Sequence, residues 1–489
     1  MTGKKIQITI AGILLCSVLL SQHDHTMYFM ENLPQSNYTN PAMQHPCKMN
    51  FGGLLIPIVG QVLPPIQLNV GSSGFKYTDL IHYGTGEYKD SLIQFLHPAF
   101  DRDKLFKRMN RVNNLDVQFQ LTWLNAAYRY KKYYFTFSMT DKMYARVSIP
   151  REFIKFPVYG NGHEDYLGKI ADFSGLAASM TYFREYAIGV STEIRDDLII
   201  GVRPKILFGK ANLQTKKNML TLHTDQTSNF PITVETDFEF RMAQPAFEFQ
   251  GLGYFPEQDS FAFEVKEIID STYETMDIVK ATFFNSKNFG LGIDIGGVWE
   301  YSSKLSIYGS IIDIGYIKWK DHPARFTDKG KYIFEGAELT EMIRGNDSIS
   351  IEEEIMDTVL QIFEPQLEGK AYSVSLSPKF YLGGLYTLNE QIKIGALFRS
   401  EVYHDKFHSS ISFSANYHPK KWMNATLTYS IINNSAKNIG LGYFLKAGFY
   451  QFYMMTDNIL AIFPQSMRNF NIRFGANLIF GCKENKLMF

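Results

Sequence analysis

Apolar and polar side chains alternate one by one through much of this chain. In residues 115–124, Leu115, Val117, Phe119, Leu121 and Trp123 share one parity, and Asp116, Gln118, Gln120 and Thr122 share the other. A strand sends successive side chains to opposite faces, so the stretch has one oily face and one wet face. The pattern returns in 232–242, where Ile232, Val234, Phe238, Phe240 and Met242 alternate with Thr233, Glu235, Asp237, Glu239 and Arg241, and only Thr236 breaks the apolar side. It returns again at Phe289–Ile295, at Ser410–Tyr417 and at Phe470–Phe480. Further strands are predicted near 49–58, 133–139, 143–149, 176–183, 187–194, 198–209, 216–224, 304–318, 372–386, 391–403, 422–431 and 437–456, the last as two.

Short polar turns separate some of these strands: Arg195-Asp196-Asp197, Ser302-Ser303, Leu388-Asn389-Glu390 and Pro419-Lys420-Lys421. Counting strand direction back from the C-terminus places all four at one end of a sheet. Two long excursions, 244–287 and 320–371, fall at the other end. That asymmetry is the habit of transmembrane β-barrels. Each excursion holds a candidate helix. In 351–363, Ile351, Ile355, Val359, Ile362 and Phe363 follow helical spacing, with Ser350 and Glu353 as a capping box; 263–280 is the weaker candidate. Segment 150–172 fits the strand count poorly.

A soluble sandwich also alternates, because each sheet packs one face on a core. Three features argue for lipid instead. The inferred strands reach about 9–14 residues, the span of a tilted membrane strand, against about five or six in globular sheets. Aromatic residues gather at strand ends: Tyr128, Tyr130, Tyr133 and Tyr134; Trp299 and Tyr301; Tyr417 and Trp422. Charges sit mid-strand on the polar face, among them Lys393, Arg399 and Arg473. They would be hydrated in a barrel lumen. The expected fold is all-β: a transmembrane antiparallel β-barrel of about 14–18 strands.

Composition adjusts this picture modestly. Forty-nine basic residues balance 49 acidic ones, so no net charge favours nucleic acid. Aromatics reach 15% of the chain, with 40 Phe and 29 Tyr, which disfavours disorder. Lys4 and Lys5 precede an apolar run from Ile10 to Leu20 that ends at Ser21, as in a secretory signal peptide. Large Leu15 before Cys16 disfavours a lipoprotein cleavage site. After processing at 1–21, Cys47 and Cys482 are the cysteines left. Cys47 precedes the first inferred strand and Cys482 follows the last, so closure of a barrel would bring both to one rim. Either a disulfide there or two free thiols is compatible with the sequence.

Chemistry is sparse. His23-Asp24-His25 has the look of a metal pair but stands at the expected mature N-terminus without further ligands nearby. There is no nucleophile elbow and no phosphate loop; the Gly-x-Gly runs lie on strands. The reading is a non-enzyme without cofactor or metal. Asn288-Phe-Gly290-Leu-Gly292 echoes as Asn438-Ile-Gly440-Leu-Gly442. Both would open strands descending from the long-loop end, with their glycines facing inward beside bulky neighbours.

Several motifs carry a resemblance. Tyr28–Ala42, with its Asn40-Pro41-Ala42, resembles the start of an uncharacterised outer-membrane barrel family related to fatty-acid-transporter-like and type IX secretion-associated barrels. Gly292–Gly297, Ser310–Trp319 and Tyr453–Asn458 resemble the same family, and Arg473–Phe480 resembles a C-terminal barrel-insertion signal. In transporter-like relatives an N-terminal segment plugs the lumen, which the resemblance implies for residues 22–48. The barrel would then occupy 49–482, with a tail at 483–489. Alternation slips at Ile311-Ile312, and a bulge beside Gly309 or Gly315 would return Asp313 to the lumen. The candidate lumen residues are Glu235, Asp237, Glu239, Arg241, Asp313, Arg399 and Arg473.

The expected location is the outer membrane, as a monomer among its lipids, passing or capturing a small solute, a hydrophobic one included. A non-transporting anchor or shuttle partner for a secretion-machinery protein is the alternative, and a soluble secreted β-protein the weaker one. A continuous lumen or a lateral opening would favour transport; a solidly packed lumen would favour the anchor.

Overall fold

The computed structural model describes residues 24–482 except 61–62, 74–75, 90, 96, 228–229, 245–246, 256–259, 268–279, 281, 335–365, 404–405, 433–434 and 463–468. The expected signal peptide and the C-terminal tail lie outside the described residues. Fourteen strand positions form one closed antiparallel wall. In chain order they are β1 (Cys47–Gly52 and Ile66–Ser72), β2 (Val112–Tyr130), β3 (Tyr133–Pro150), β4 (Ala177–Arg195), β5 (Leu198–Thr224), β6 (Ile232–Ala243 and Asn288–Glu300) and β7 (Leu305–Trp319 and Pro323–Phe334). There follow β8 (Tyr372–Ser375 and Lys379–Thr387), β9 (Ile392–Tyr403), β10 (Lys406–Lys420), β11 (Met423–Ile432), β12 (Ser435–Ala447), β13 (Tyr450–Thr456) and β14 (Asn469–Cys482). The wall closes because both pieces of β1 pair with β14 on one side and β2 on the other.

The oily parity looks outward. Leu115 pairs with Val147 and Phe119 with Met143 on the outside, while Gln118 and Gln120 line an internal crevice. Phe135, Ile188, Ile206, Leu291, Ile295, Ile411, Phe413 and Leu427 are exposed, and the neighbours Lys205, Asp294, Ser412 and Thr426 are buried. An apolar exterior around a polar interior is the pattern of a barrel in lipid and the inverse of a sandwich. Among the described residues no helix is long and apolar enough to cross a membrane.

Connections at one end are short: 131–132, 196–197, 301–304, 388–391, 421–422 and 448–449. The four turns anticipated from sequence all fall there. The opposite end carries 73–111, with a small hairpin and the helix Arg102–Arg108, and 151–176, with the helix Arg151–Tyr159. Most of segment 150–172 therefore belongs to a loop at the long-loop end, which is why it fitted the strand count poorly.

Elsewhere the wall differs from the sequence reading. Three pairs of expected strands are single ones, β3, β4 and β5. Thr140-Asp141-Lys142 and Arg184-Glu185 interrupt the alternation because charges stand on both faces there, and β5 carries a bulge between Phe208 and Ala211. The strand expected at 49–58 ends at Gly52, where the chain leaves the wall, and Ile66 resumes it. Gly53, at φ +120°, makes the departure, in backbone space that only glycine enters freely. Excursion 320–371 begins with strand, since Pro323–Phe334 continues β7 upward.

Excursion 244–287 is not an end loop. Ala243 faces Asn212 and Asn288 faces Gly209, so the chain leaves the wall partway down β6 and returns to the same position. Parity counting cannot see this, because both halves run the same way. Of the helix expected at 263–280, residues 263–267 belong to the strand Ser260–Glu267; the helix expected at 351–363 lies outside the described residues.

Candidate functional site

A wall of fourteen strands encloses more space than its own side chains fill; about eight strands is the limit for that. Residues 24–46 occupy the half nearer the short turns. His25, Thr26, Met27, Tyr28, Phe29, Met30 and Leu33 are all 0–1% exposed. Tyr28 and Phe29 join Tyr308, Tyr381, Leu385 and Leu397 of the wall in one apolar cluster, and Met27, Met30 and Leu33 join Phe444, Tyr453 and Met455 in another. Polar contacts surround these clusters. Asp24 pairs with Arg473 at 3.2 Å, Glu31 with Lys393 at 2.6 Å, and Gln35 with Asn477 at 2.8 Å. His25, fully buried, meets Ser412 at 2.9 Å inside the lumen.

Asn40-Pro41 touches the wall most closely. Asn40 donates to the carbonyl of Gly297 at 3.1 Å. A Cβ on Gly201 would stand 2.3 Å from the Pro41 carbonyl oxygen, and one on Gly296 would stand 2.0 Å from Asn40 Oδ1. The echoed glycines act similarly: Gly440 and Gly442 face inward, against Thr26 and Met30. Both echoes do open descending strands, β12 and the lower half of β6. The plug leaves the lumen at Cys47, which is disulfide-bonded to Cys482 across the β1–β14 seam.

Above the plug lies a layer of buried charge. Lys205 bridges Asp294 at 2.7 Å, Asp313 at 2.6 Å and Glu185 at 3.3 Å. Lys142 pairs with Glu185 at 2.8 Å, Arg203 with Asp294 at 2.6 Å, and Lys379 with Asp313 at 2.5 Å. The bulge anticipated near Asp313 is present: Ile293 faces Ile314 and Ile295 faces Ile311, so Ile312-Asp313 oppose Asp294 alone. Asp313 takes φ +61°, tolerable for an aspartate, and its N–H donates to Asp294 Oδ1 at 2.7 Å.

That layer floors a cavity of about 600 Å³ in the half nearer the long loops. Asp313, Lys379 and Tyr144 form its base; Ser179, Thr181, Ser373 and Ser375 give it hydroxyls; Phe183, Leu213, Val374 and Leu376 give it apolar surface. Arg146 and Arg241 reach in from β3 and β6, in one cross-strand row through Ser179 and Gln214, each held by a carboxylate, Asp116 and Glu239 respectively. Beneath it a crevice of about 30 Å³ lies between Gln118, Ser138, Lys142, Glu185 and Arg399.

The candidate lumen residues separate into groups. Asp313 and Arg241 line the cavity, and Glu239 braces Arg241 and Arg325. Arg399, 1% exposed, binds Glu401 at 2.8 Å and lies over the Tyr381 ring. Arg473 serves the plug. Glu235 and Asp237 stand higher, half exposed in the outer extension, paired with Lys331 at 3.0 Å and Lys217 at 3.1 Å. The sequence reading missed Lys142, Glu185, Arg203, Lys205 and Lys379. Their signal was parity: Arg203 and Lys205 alternate with Val202, Pro204 and Ile206. Among the described residues no group of three His, Cys, Asp or Glu could hold a metal ion.

Residues 41–457 match a family described as "Family of unknown function (DUF5723)". No curated protein matches the chain. Solved structures similar to it include the Ralstonia pickettii toluene transporter TbuX, at 8% identity and TM-score 0.40, over 92% of this chain and 94% of that one. A Pseudomonas aeruginosa FadL homologue is similar at 9% identity and TM-score 0.35, over 92% and 95%. The translocator domain of the Neisseria meningitidis autotransporter NalP is similar at 6% identity and TM-score 0.33, over 94% and 99%.

Proposed function

We propose that this chain, which belongs to the DUF5723 family, works in the outer membrane as a barrel that captures a small solute at its outer end and passes it inward when the plug yields. The short-turn end then faces the periplasm and the long loops face outside. One observation carries the reading: a cavity of about 600 Å³ lies above a charged floor, with a separate chain segment filling the passage below. A wall that served only to anchor would gain nothing from a hollow outer half. The lining suits a solute with an apolar body and a polar end, because Phe183, Val374 and Leu376 share the cavity with Arg146, Arg241 and Lys379.

The packed inner half favours a second reading, in which the barrel is a closed anchor for a secretion partner. One measurement separates the two. Small amphipathic solutes are titrated against the refolded full chain while its thermal midpoint is followed, in the native protein and in a Ser375→Trp variant that fills the cavity. Capture predicts a solute-dependent rise that the tryptophan abolishes. An equal response in both proteins, or none to any solute, would leave the anchor.

A further inference from the structure

Asp141 and Arg184 form a bidentate ion pair, 2.6 and 2.7 Å, on the outward side of the wall. Asp141 shares parity with Phe135 and Val147, Arg184 with Ile188 and Val190, and all four of those residues are exposed. The pair itself is 3–5% exposed, because the segment returning from the β6 excursion covers it. Phe283 lies 4.0 Å over the guanidinium and meets Trp123 edge-on at 5.2 Å. Lys210 donates to the Asn285 carbonyl, and Asn285 donates to Asp321 at 2.9 Å. Phe284 beside them is 70% exposed.

The height of this patch can be read from the wall. Tyr186, Phe208 and Phe289 make an outward row with successive ring separations of 5.8 and 6.1 Å. Trp299, low on the same strand as Phe289, marks the row at the short-turn end. The strand between them climbs about 25 Å along the normal at a tilt of about 40°, the height of an outer-membrane apolar band. Arg184, Lys210 and Lys287 therefore stand at or just beyond the outer aromatic row, where lipid headgroups begin. Lys318 and Lys320 continue the patch on β7, outward and exposed. Among the described residues of this patch Arg184 and Lys210 are buried beneath segment 282–287, and Lys287, Lys318 and Lys320 are the exposed cations, Lys287 paired with Asp321 at 2.8 Å. Among the described residues Lys318 and Lys320 have no carboxylate within ion-pair distance.

We infer that this sector of the wall, strands β4 to β7 with segment 282–287, is a docking site for the phosphorylated headgroup of an outer-leaflet glycolipid. Cations one step beyond an aromatic row meet headgroup phosphates, and Phe284 enters the adjoining acyl layer. Soluble anions would find the same charge but no apolar footing beside it. The inference rests on the outer-membrane reading, and the experiment keeps the two apart.

The refolded full chain, in detergent micelles, is titrated with a bis-phosphorylated glycolipid of the lipid A type while its thermal midpoint is followed. Parallel titrations use the dephosphorylated glycolipid and inorganic phosphate. The midpoint should rise with the phosphorylated glycolipid alone. In a Lys318→Gln/Lys320→Gln variant, half-saturation should need about thirtyfold more of it, since each lysine at an anionic lipid surface contributes about fivefold. Both side chains are exposed, so the variant should fold, which insertion into phosphatidylcholine vesicles checks. Equal half-saturation in both proteins, an equal rise with dephosphorylated glycolipid, or a rise with inorganic phosphate alone overturns the site. A native chain that stays out of vesicles overturns the membrane reading as well.

Discussion

Asp294 shows how much of this interior hangs on single groups. It is fully buried and holds Arg203 at 2.6 Å and Lys205 at 2.7 Å. Asp294→Asn would take the ion-pair partner of Arg203 and one of the three carboxylates around Lys205. Breaking a buried pair from one side costs about 3–5 kcal/mol, so urea unfolding from lipid vesicles should show a loss of that size. His45 offers a test in pH at the short-turn rim, outside the wall strands. Its Nδ1 accepts from the Cys47 N–H at 3.2 Å and its Nε2 meets the Asn32 carbonyl at 3.1 Å, the pattern of a neutral ring. Burial, aided by Lys446 and Arg129, lowers its pKa from 6.5 to about 3. Below 6.5 the unfolded chain takes up a proton that the folded one refuses. Stability is therefore complete above that value and falls as pH drops toward 3, by up to about 1.4 kcal/mol per pH unit. A His45→Gln variant keeps both hydrogen bonds and should flatten that part of the profile.

At the scale of elements, the plug and the wall are complementary surfaces. Wall glycines at 201 and 296 admit Asn40-Pro41, and Glu31, Gln35 and Asp24 spend their polar groups on wall partners. The plug fills the inner lumen, so the native barrel should conduct poorly in planar bilayers. Deleting residues 24–44 should leave the wall ladder whole and open a polar pore with frequent, larger conductance steps. Unchanged conductance after the deletion would show that the wall, or another segment, does the sealing. The β6 excursion makes a different point. Residues 232–243 and 288–300 read as two strands, yet they build one wall position, and register against β5 alone reveals it.

For the molecule as a whole, the Cys47–Cys482 bond joins the first wall residue to the last strand and stands where the plug exits. It cross-links a long loop of the unfolded chain, a change that stabilises by about 2–4 kcal/mol. Reduction, or a Cys47→Ser variant, should lower the thermal midpoint and expose residues 24–46 to protease before the wall unfolds. Simultaneous loss of plug and wall would instead mark the two as one cooperative unit.

Much of this protein is legible along the chain, for a local reason: strand side chains alternate, so parity alone sorts Gln118 and Gln120 from Phe119 and Leu121, whatever their partners. The barrel class, the short-turn end, the inward glycines and the bulge that returns Asp313 to the lumen all follow from parity and spacing. Depth and pairing do not. Glu235 and Arg241 share one parity, but only register puts the first in half-exposed outer sheet and the second beside the cavity floor. Lys205 finds Asp294 and Asp313 across separations that no local pattern encodes. Asp141 and Arg184 look misplaced on an oily face until the fold brings Phe283 over them, because the shielding of a charge depends on distant chain that alternation cannot register.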